Sequence, residues 1–305
     1  MAPKSIPSIA KRACRAIGLI WDFTESNFGT FVVPNTAFGI LGGFAAEILI
    51  EGLPRQPSPQ DILQRLPTVI LFNWCNVLIF DLANQRYPES VQEDILNKPW
   101  RPIPAGKITA DQTRRAMLVA VPMTLTLNYI LGVWRQGIII QLLTWLYNDL
   151  RGGDEVIRDL IIAVAYGMFN SGSLELATGC QESISQSGIV WVSVISGVIL
   201  TTMQVQDLKD QAGDSSRGRK TVALFLGEQV SRVSIAVFVC FWSLVCPYFW
   251  CLDIWAYVLP VASGAVVAAR VLLKRTPAED SDTWKWWCFW TVTLYLLPVV
   301  SLMGI

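Results

Sequence analysis

The chain has 305 residues, of which 52% are hydrophobic and only 16% are charged. A soluble domain carries about 25% charged residues, so this composition argues against a soluble globular protein, and also against a disordered or fibrous chain. Lys plus Arg and Asp plus Glu both number 24, so no net positive field indicates a nucleic-acid partner. The apolar residues form long stretches, which predicts an integral membrane protein in contact with the lipid bilayer.

The sequence contains no His. This excludes His-ligated zinc, haem held by His, and catalytic pairs in which His activates Ser or Cys. The seven Cys residues are scattered and form no CxxC spacing, which favours small buried hydrophobic side chains. The first 20 residues are basic but have no sustained apolar core, so we expect no cleaved signal peptide.

Hydropathy predicts an all-α membrane bundle of about nine spanning helices. The predicted spans are residues 28–50, 67–85, 116–132, 136–149, 157–178, 188–206, 233–250, 254–273 and 286–303. No linker or low-complexity segment divides the chain. We therefore expect one transmembrane domain over residues 1–305, with residues 1–27 as an N-terminal segment.

The basic residues orient this bundle. With these spans, 21 of the 24 Lys and Arg residues fall on one side of the membrane, and the other side keeps Arg55, Arg65 and Arg135. By the positive-inside rule, the N-terminus and the basic loops face the cytosol. The expected location is an endomembrane such as the endoplasmic reticulum, and assembly into a homo-oligomer is left open.

The second predicted span ends in a polar cluster. Five polar side chains interrupt a helix that is otherwise Leu, Ile, Phe, Val and Trp: Asn73, Asn76, Asp81, Asn84 and Gln85. Buried amides can serve simply to hydrogen-bond neighbouring helices, and for this cluster alone that alternative stays open.

The loop after this span is first acidic and then rich in Pro and basic residues. Its acidic part contains Glu89, Glu93 and Asp94, and its basic part carries Lys98 and Arg101 within the run 97–107. Such a loop is suited to holding an anion, since Arg can bind oxygens in pairs and Lys adds a compact charge.

The sixth predicted span ends in three aspartates, Asp207, Asp210 and Asp214. The spacing i, i+3, i+7 would place them within about 60° of one helix face. Stacked carboxylates repel each other unless a cation lies among them, and hard oxygen ligands suit Mg²⁺, which also binds substrate phosphate oxygens. The alternative is a solvated acidic helix end, or acids paired with nearby Lys and Arg.

The two acidic clusters and the basic loops lie on the same predicted membrane face, which indicates a site for a diphosphate bridged by Mg²⁺. The helices beneath carry aromatic residues that would suit a long isoprenoid tail, although most aromatics in a bundle serve packing. The candidates for the cavity wall are Trp74, Phe80, Tyr129, Tyr166, Phe169 and Trp191, with Glu47, Asn128, Asn170 and Glu175 as polar candidates.

At these residues the sequence resembles the UbiA superfamily of intramembrane prenyltransferases. Asp207, Asp210 and Asp214, followed by the run 218–221 (Gly-Arg-Lys-Thr), are similar to the family's second Asp-rich motif, and Asn-Lys-Pro-Trp-Arg-Pro at 97–102 is similar to the run after the first. The first motif usually has the form Asn-Asp-x-x-Asp-x-x-x-Asp. Asp81 matches its central Asp, whereas Val77 stands at the Asn and Gln85 at the last Asp.

The resemblance implies roles for individual residues. Asp81, Asp207, Asp210 and Asp214 would be the catalytic acids. The Mg²⁺ ligands would be drawn from Asp81, Asn84, Gln85, Asp94, Asp207, Asp210 and Asp214. The diphosphate would be bound by Arg86, Lys98, Arg101, Lys209, Arg219 and Lys220.

The variant run Asn84-Gln85, followed by Glu-Asp-Ile-Leu-Asn-Lys-Pro at 93–99, is most similar to the fungal branch, which includes membrane terpene cyclases. The resemblance therefore implies Mg²⁺-dependent ionisation of a farnesyl or geranylgeranyl diphosphate, followed by cyclisation to a terpene hydrocarbon. The first alternative is a prenyltransferase that passes the chain to an aromatic or quinone-precursor acceptor. The second is a transporter or lipid-binding protein, which the clustering of polar residues at one face disfavours.

Overall fold

The computed structural model describes residues 9–53, 55–179 and 183–304, and within these ranges the chain is helical. The extended pairing found there is an isolated antiparallel bridge between Ile50 and Ile184. The predicted all-α class is therefore confirmed. Part of the N-terminal segment, residues 1–8, and Cys180 lie outside the described residues.

Sixteen α-helices and three short helical turns follow one another along the described chain. The α-helices are α1 (Ile9–Asn27), α2 (Val33–Phe44), α3 (Ala46–Leu49), α4 (Pro59–Gln64), α5 (Leu66–Gln85), α6 (Pro88–Asn97), α7 (Ala110–Ile130), α8 (Trp134–Asn148), α9 (Arg158–Thr178), α10 (Gln186–Thr202), α11 (Gln211–Arg217), α12 (Val222–Phe225), α13 (Glu228–Phe249), α14 (Ile254–Leu273), α15 (Pro277–Tyr295) and α16 (Leu297–Leu302). The turns are a π-helix (Phe28–Val32) and two 3₁₀ turns (Gly152–Asp154, Met203–Asp207).

Five helical segments of the described chain have the length and composition needed to cross a membrane. They are Pro59–Gln85, Arg158–Thr178, Gln186–Asp207, Glu228–Phe249 and Ile254–Leu273. The last coincides with a predicted span. The predicted span 286–303 differs most, because α15 already begins at Pro277, where Thr276 and Glu279 form a capping box. A polar cap of this kind starts a helix irrespective of hydropathy.

The long helices pack mainly against their neighbours in sequence. Contacts join α5 to α7, α7 to α8, α8 to α9, α9 to α10, α10 to α13, α13 to α14 and α14 to α15, and α2 contacts α15, α5 and α9. The crossing of α2 and α9 is close, since a Cβ on Gly39 would lie 2.5 Å from the Ser173 carbonyl oxygen. Small residues at helix crossings permit this approach in membranes.

A buried ion pair fixes the C-terminal helices. Arg232 on α13 is fully buried, and its Nη2 donates to Asp280 Oδ2 on α15 at 2.7 Å. Its Nη1 also donates to the carbonyl oxygens of Val271 and Lys274 at 2.9 and 3.0 Å. One guanidinium thus joins α13, the end of α14 and the start of α15.

The expectation that the cysteines are buried holds only in part. Cys246 and Cys288 are buried, whereas Cys14, Cys240 and Cys251 are exposed. Exposure to lipid carries little cost for a small apolar side chain, so hydropathy alone does not tell a lipid-facing Cys from a buried one.

Candidate active site

A cavity of about 1060 Å³, counted out to its open mouth, lies among the ends of α1, α5, α6, α8, α9, α11 and α15. Along α9 its wall runs from Arg158 to Phe169. At a rise of 1.5 Å per residue, this is a depth of about 16 Å.

The wall is charged at one end and apolar at the other. The charged residues comprise five acids and five bases: Asp81, Glu93, Asp207, Asp210 and Asp214, and Lys98, Arg101, Arg158, Lys209 and Arg219. The apolar residues are Phe31, Val77, Phe80, Ile140, Leu143, Ile161, Ile162, Ala165, Phe169 and Met203. Such a cavity matches an amphiphile with an anionic head and a hydrocarbon chain.

Asp207 ends the 3₁₀ turn after α10 and is held by Arg158, the first residue of α9. The guanidinium donates through Nη1 to Oδ2 and through Nη2 to Oδ1, both at 2.7 Å. Its Nε donates to the Tyr147 hydroxyl at 3.2 Å. Both partners of this bidentate pair are buried, so each neutralises a charge that would be costly alone.

The three aspartates of the second motif do not share one helix, contrary to the prediction from their spacing. α10 ends at Thr202, the 3₁₀ turn ends at Asp207, and α11 starts after Asp210, which is its N-cap residue. The break lets each carboxylate meet a different base. Asp210 pairs with Lys209 and lies 3.5 Å from Lys98 Nζ, and Asp214 Oδ1 accepts from Arg219 Nη1 at 3.1 Å.

These different surroundings shift the pKa values of Asp210 and Asp214 in opposite directions. Burial alone would raise the pKa of Asp210, but the ammonium groups of Lys98 and Lys209 outweigh it and lower the pKa to about 2. Burial, together with the Asp207 carboxylate, raises the pKa of Asp214 to about 7. At Asp214, burial thus outweighs the pairing with Arg219 and favours the protonated form, whereas the lysines keep Asp210 ionised.

In the first motif, Asp81 lies on the last turn of α5 and lines the cavity with Asn84. Its Oδ1 accepts from Asn27 Nδ2 at 2.6 Å, and its Oδ2 is buried without a partner. Gln85 points away from the cavity, since its Nε2 donates to the Phe23 carbonyl oxygen at 2.9 Å.

The loop after α5 contributes both lining residues and supports. Lys98 and Arg101 line the cavity, and Asp94 stands behind them, accepting from Arg101 Nη1 at 2.7 Å. Asn97 joins α6 to α11: its Nδ2 donates to the Asp210 carbonyl oxygen at 3.0 Å, and its Oδ1 accepts from the Gly213 amide at 3.2 Å.

Two predicted diphosphate-binding residues lie off the cavity wall. Arg86 Nη2 donates to Asp149 Oδ1 at 2.7 Å, and Lys220 pairs with Glu155 in an exposed position. The structure thus gathers Asp81, Asn84, Lys98, Arg101, Asp207, Lys209, Asp210, Asp214 and Arg219 around one cavity. It leaves Gln85, Arg86, Asp94 and Lys220 outside the wall.

Of the aromatic candidates, Phe80 and Phe169 line the cavity. Tyr166 packs behind the wall, its ring centroid 4.5 Å from that of Phe31. The remaining aromatic candidates (Trp74, Tyr129 and Trp191) and the four polar ones (Glu47, Asn128, Asn170 and Glu175) do not belong to the wall.

Sequence reasoning missed Asn27, Arg158 and Trp284. Arg158 gave a signal, because it shares the stripe i, i+4, i+7, i+11 with Ile162, Ala165 and Phe169. Trp284 lines the cavity near its charged end, where Lys209 Nζ lies 4.8 Å from the ring centroid.

The donor set of the charged end fits a hard divalent cation. The Oδ2 atoms of Asp81 and Asp214 are buried without hydrogen-bond partners, and the other donors are carboxylate or amide oxygens. Within the described ranges, no three acidic side chains are close enough to form a complete metal cage. Mg²⁺ does not require one, since it binds through one or two carboxylates, waters and substrate phosphates.

Comparison with known proteins places this geometry in a family. The profile of the UbiA prenyltransferase family matches residues 66–292. The chain belongs to the UbiA prenyltransferase family. The resemblance found in the sequence is thereby confirmed, and the match includes α5 through most of α15.

Individual relatives include terpene-forming enzymes. The chain is 28% identical over 239 residues to the fumagillin beta-trans-bergamotene synthase of Aspergillus fumigatus, covering 75% of this chain and 78% of the relative. It is 23% identical over 299 residues to a diterpene cyclase of Hericium erinaceus, covering 92% and 88%.

The fold also matches a solved structure. A UbiA homologue from Archaeoglobus fulgidus, solved bound to DMAPP and Mg²⁺, superposes with a TM-score of 0.64 at 13% identity, covering 92% of this chain and 98% of that one. At 13% identity, this superposition shows that the two proteins share a fold.

Proposed function

We propose that this UbiA-family protein is a terpene cyclase that ionises an isoprenoid diphosphate, farnesyl or geranylgeranyl, and closes the resulting cation into a hydrocarbon. The observation that carries the proposal is the cavity itself, which runs for about 16 Å along α9 from its charged end to its apolar end. The relatives that are a bergamotene synthase and a diterpene cyclase support the same assignment.

At the charged end, the bases would bind the diphosphate. Lys98 and Arg101 face the cavity from the loop after α6, and Lys209 and Arg219 face it from the segments before and after α11. Arg158 would share its guanidinium between Asp207 and a phosphate oxygen. Mg²⁺ would take one or two carboxylate ligands from among Asp81, Asp207, Asp210 and Asp214, with Asn84 as an amide candidate, and would supply Lewis-acid stabilisation of the charge on the diphosphate. The basic side chains stabilise the same charge.

Ionisation breaks the allylic C–O bond, and its electron pair leaves with the diphosphate. The apolar wall excludes water, which would otherwise capture the cation. The faces of Phe80, Phe169 and Trp284 can each stabilise positive charge by about 0.5–2 kcal/mol. The cation then adds to a distal double bond of its own chain, and a proton is finally lost to the released diphosphate or to water.

The alternative is a prenyltransferase, in which a second molecule captures the cation. An aromatic acid acceptor would need a cation of its own beyond the diphosphate site. Among the described lining residues, the polar side chains besides the ten charged ones are Asn27, Asn84, Thr144, Tyr147 and Gln206, none of which is a cation. This lining favours intramolecular capture.

The deciding experiment incubates the purified protein with Mg²⁺ and either farnesyl or geranylgeranyl diphosphate, without an acceptor, and analyses hexane extracts for hydrocarbons. Asp207→Asn is the test variant, and Asp111→Asn, which alters an exposed ion pair, is its matched control. A cyclic hydrocarbon from the wild type and the control, but not from Asp207→Asn, supports the cyclase. Intact diphosphates in all three samples contradict it and favour the transferase, which an aromatic acceptor would then activate.

We also propose the membrane arrangement predicted from the sequence: one domain with about nine spans, a cytosolic N-terminal segment, and a cavity mouth that opens to the cytosol of an endomembrane. The concentration of basic residues around the charged end supports this orientation. In a background in which the exposed Cys14, Cys240 and Cys251 are replaced by Ser, the reaction of Arg151→Cys and Arg135→Cys with a membrane-impermeant thiol reagent in sealed vesicles tests it. Only the first should react from the cytosolic side.

A further inference from the structure

The C-terminal half of α1 is fastened to the helix that carries the first motif. Trp74 Nε1 on α5 donates to Thr24 Oγ1 at 2.9 Å, and Gln85 Nε2 donates to the Phe23 carbonyl oxygen at the same distance. Phe23, Thr24 and Gln85 are buried. The end of α1 is therefore part of the wall around the motif and is not a free N-terminal extension.

A π-helical turn then directs this segment into the cavity. Asn27 ends α1, the turn spans Phe28–Val32, and both Asn27 and Phe31 line the cavity. The wider turn departs from regular helix geometry, as π-turns often do at functional sites. At the junction between α1 and this turn, Asn27 Nδ2 donates to Asp81 Oδ1 at 2.6 Å.

Asp81 has a different kind of hydrogen-bond partner from Asp207 and Asp214 in the second motif. Asp207 and Asp214 are paired with arginines, whereas Asp81 accepts a hydrogen bond from a neutral amide and keeps Oδ2 buried without a partner. A neutral donor fixes the orientation of a carboxylate without cancelling its charge. That charge remains available to a cation.

We propose that Asn27 is a positioning residue that fixes Asp81 so that Oδ2 meets the Mg²⁺–diphosphate complex. This inference rests on the proposed function. Val77 stands where the motif carries Asn, and the amide of Gln85 is occupied by the Phe23 carbonyl oxygen. α1 thus supplies from another helix the amide that the motif has lost, and the active site extends to residues outside the family match at 66–292.

The test measures ligand-induced thermal stabilisation of the full-length protein, so it does not depend on turnover. Mg²⁺ is titrated at fixed inorganic diphosphate, and the concentration giving half of the rise in Tm is recorded. In Asn27→Ala this midpoint should rise about tenfold, the usual effect of losing a hydrogen bond to a charged group. Asn73→Ala is the matched control, because Asn73 is a buried amide on α5, bound to Thr36 and Ser173 off the cavity wall. It should lower Tm and keep the wild-type midpoint.

A second variant tests the contact itself. Val77 lies four residues before Asp81 on the same helix and lines the cavity, so an amide there can reach Asp81. Val77→Asn combined with Asn27→Ala should therefore restore the midpoint toward the wild-type value. A folded double variant without recovery would overturn the assignment.

Two further results would also overturn the inference while leaving the proposed function standing. One is a wild-type midpoint in Asn27→Ala, and the other is an equal shift in Asn73→Ala, which would indicate general loosening. If the wild type gains no stability from Mg²⁺ and diphosphate together, the proposed function fails, and the role of Asn27 fails with it.

Discussion

Arg158 shows how far a single residue can be interpreted from its position in the sequence. Hydropathy placed it at the edge of a predicted span, where basic residues commonly face the headgroups. In the structure it is buried and joins Asp207 to Tyr147. Which way a helix end faces depends on the rotation of the helix about its axis, and that rotation is set by packing against other helices.

Replacing Arg158 by Met should abolish turnover and lower the free energy of unfolding. The side chains are similar in length, but Asp207 would be left buried and unpaired, which costs about 3–5 kcal/mol. Thermal unfolding and hydrocarbon formation measure the two losses, with the exposed Arg115→Met as the control. A variant with wild-type stability would show that Asp207 finds another partner.

At position 85 the family pattern predicted a contact with the metal that the side chain does not make. Asp is usual there, and the sequence suggested a neutral metal ligand, yet the side chain contacts α1. Gln85→Asp should cost at least about 2 kcal/mol, since the shorter carboxylate loses the hydrogen bond and is buried.

The same variant should leave the Mg²⁺ requirement for turnover unchanged. Gln85→Leu, which loses the hydrogen bond without adding charge, is the control for the stability measurement. A lower Mg²⁺ requirement in Gln85→Asp would place position 85 at the metal after all.

At the scale of elements, hydropathy located the helical segments but predicted their ends and internal breaks poorly. The predicted span 28–50, for example, is divided among the π-helical turn, α2 and α3. Residues 254–273 were predicted as a span and form α14. By contrast, α15 starts from a polar capping box, and the chain turns between Thr202 and Gln211 although its sequence is compatible with a continuous helix. Caps and breaks depend on individual hydrogen bonds, which a window average does not detect.

The junction between α6 and α11 offers a test of such a local contact. A Cβ on Gly213 would lie 2.2 Å from Asn97 Nδ2, so Gly213→Ala should displace the Asn97 side chain from its hydrogen bonds with α11 and lower turnover, by up to about tenfold. Adding Asn97→Ala removes the clash and should restore part of that loss. Rates from the single and double variants give the coupling between the two positions, and purely additive effects would contradict the contact.

At the scale of the whole molecule, the high hydrophobic content of 52% and its distribution in long apolar stretches predicted an all-helical membrane protein. A helix can lie in lipid because its backbone N–H and C=O groups bond to each other. The two motifs predicted which segments meet at the charged end. The sequence did not reveal that α1 joins them, since the contacts of Phe23, Thr24 and Asn27 with α5 connect residues 50 to 62 positions apart.

The ion pair between Arg232 and Asp280 tests whether stability and activity are separate properties of this bundle. Asp280→Ala leaves the buried guanidinium with Glu228 as its remaining carboxylate partner, which should cost at most about 3–5 kcal/mol. Below its lowered Tm, the variant should still turn over substrate with the wild-type Mg²⁺ dependence, because Asp280 does not line the cavity. Thermal unfolding and Mg²⁺ titrations measure these effects, and a changed Mg²⁺ dependence would show coupling between the two regions.

The balance of five acids and five bases around the cavity has a thermodynamic consequence. A divalent cation that arrived alone would compete with arginines for carboxylates, and a diphosphate that arrived alone would compete with carboxylates for arginines. When both arrive together, each base released by the cation becomes a partner for the anion. Binding of the cation should therefore increase the affinity for the diphosphate, and binding of the diphosphate should increase the affinity for the cation by the same factor. With this positive cooperativity, the prenyl diphosphate would be bound tightly enough to ionise only when the cation is also present.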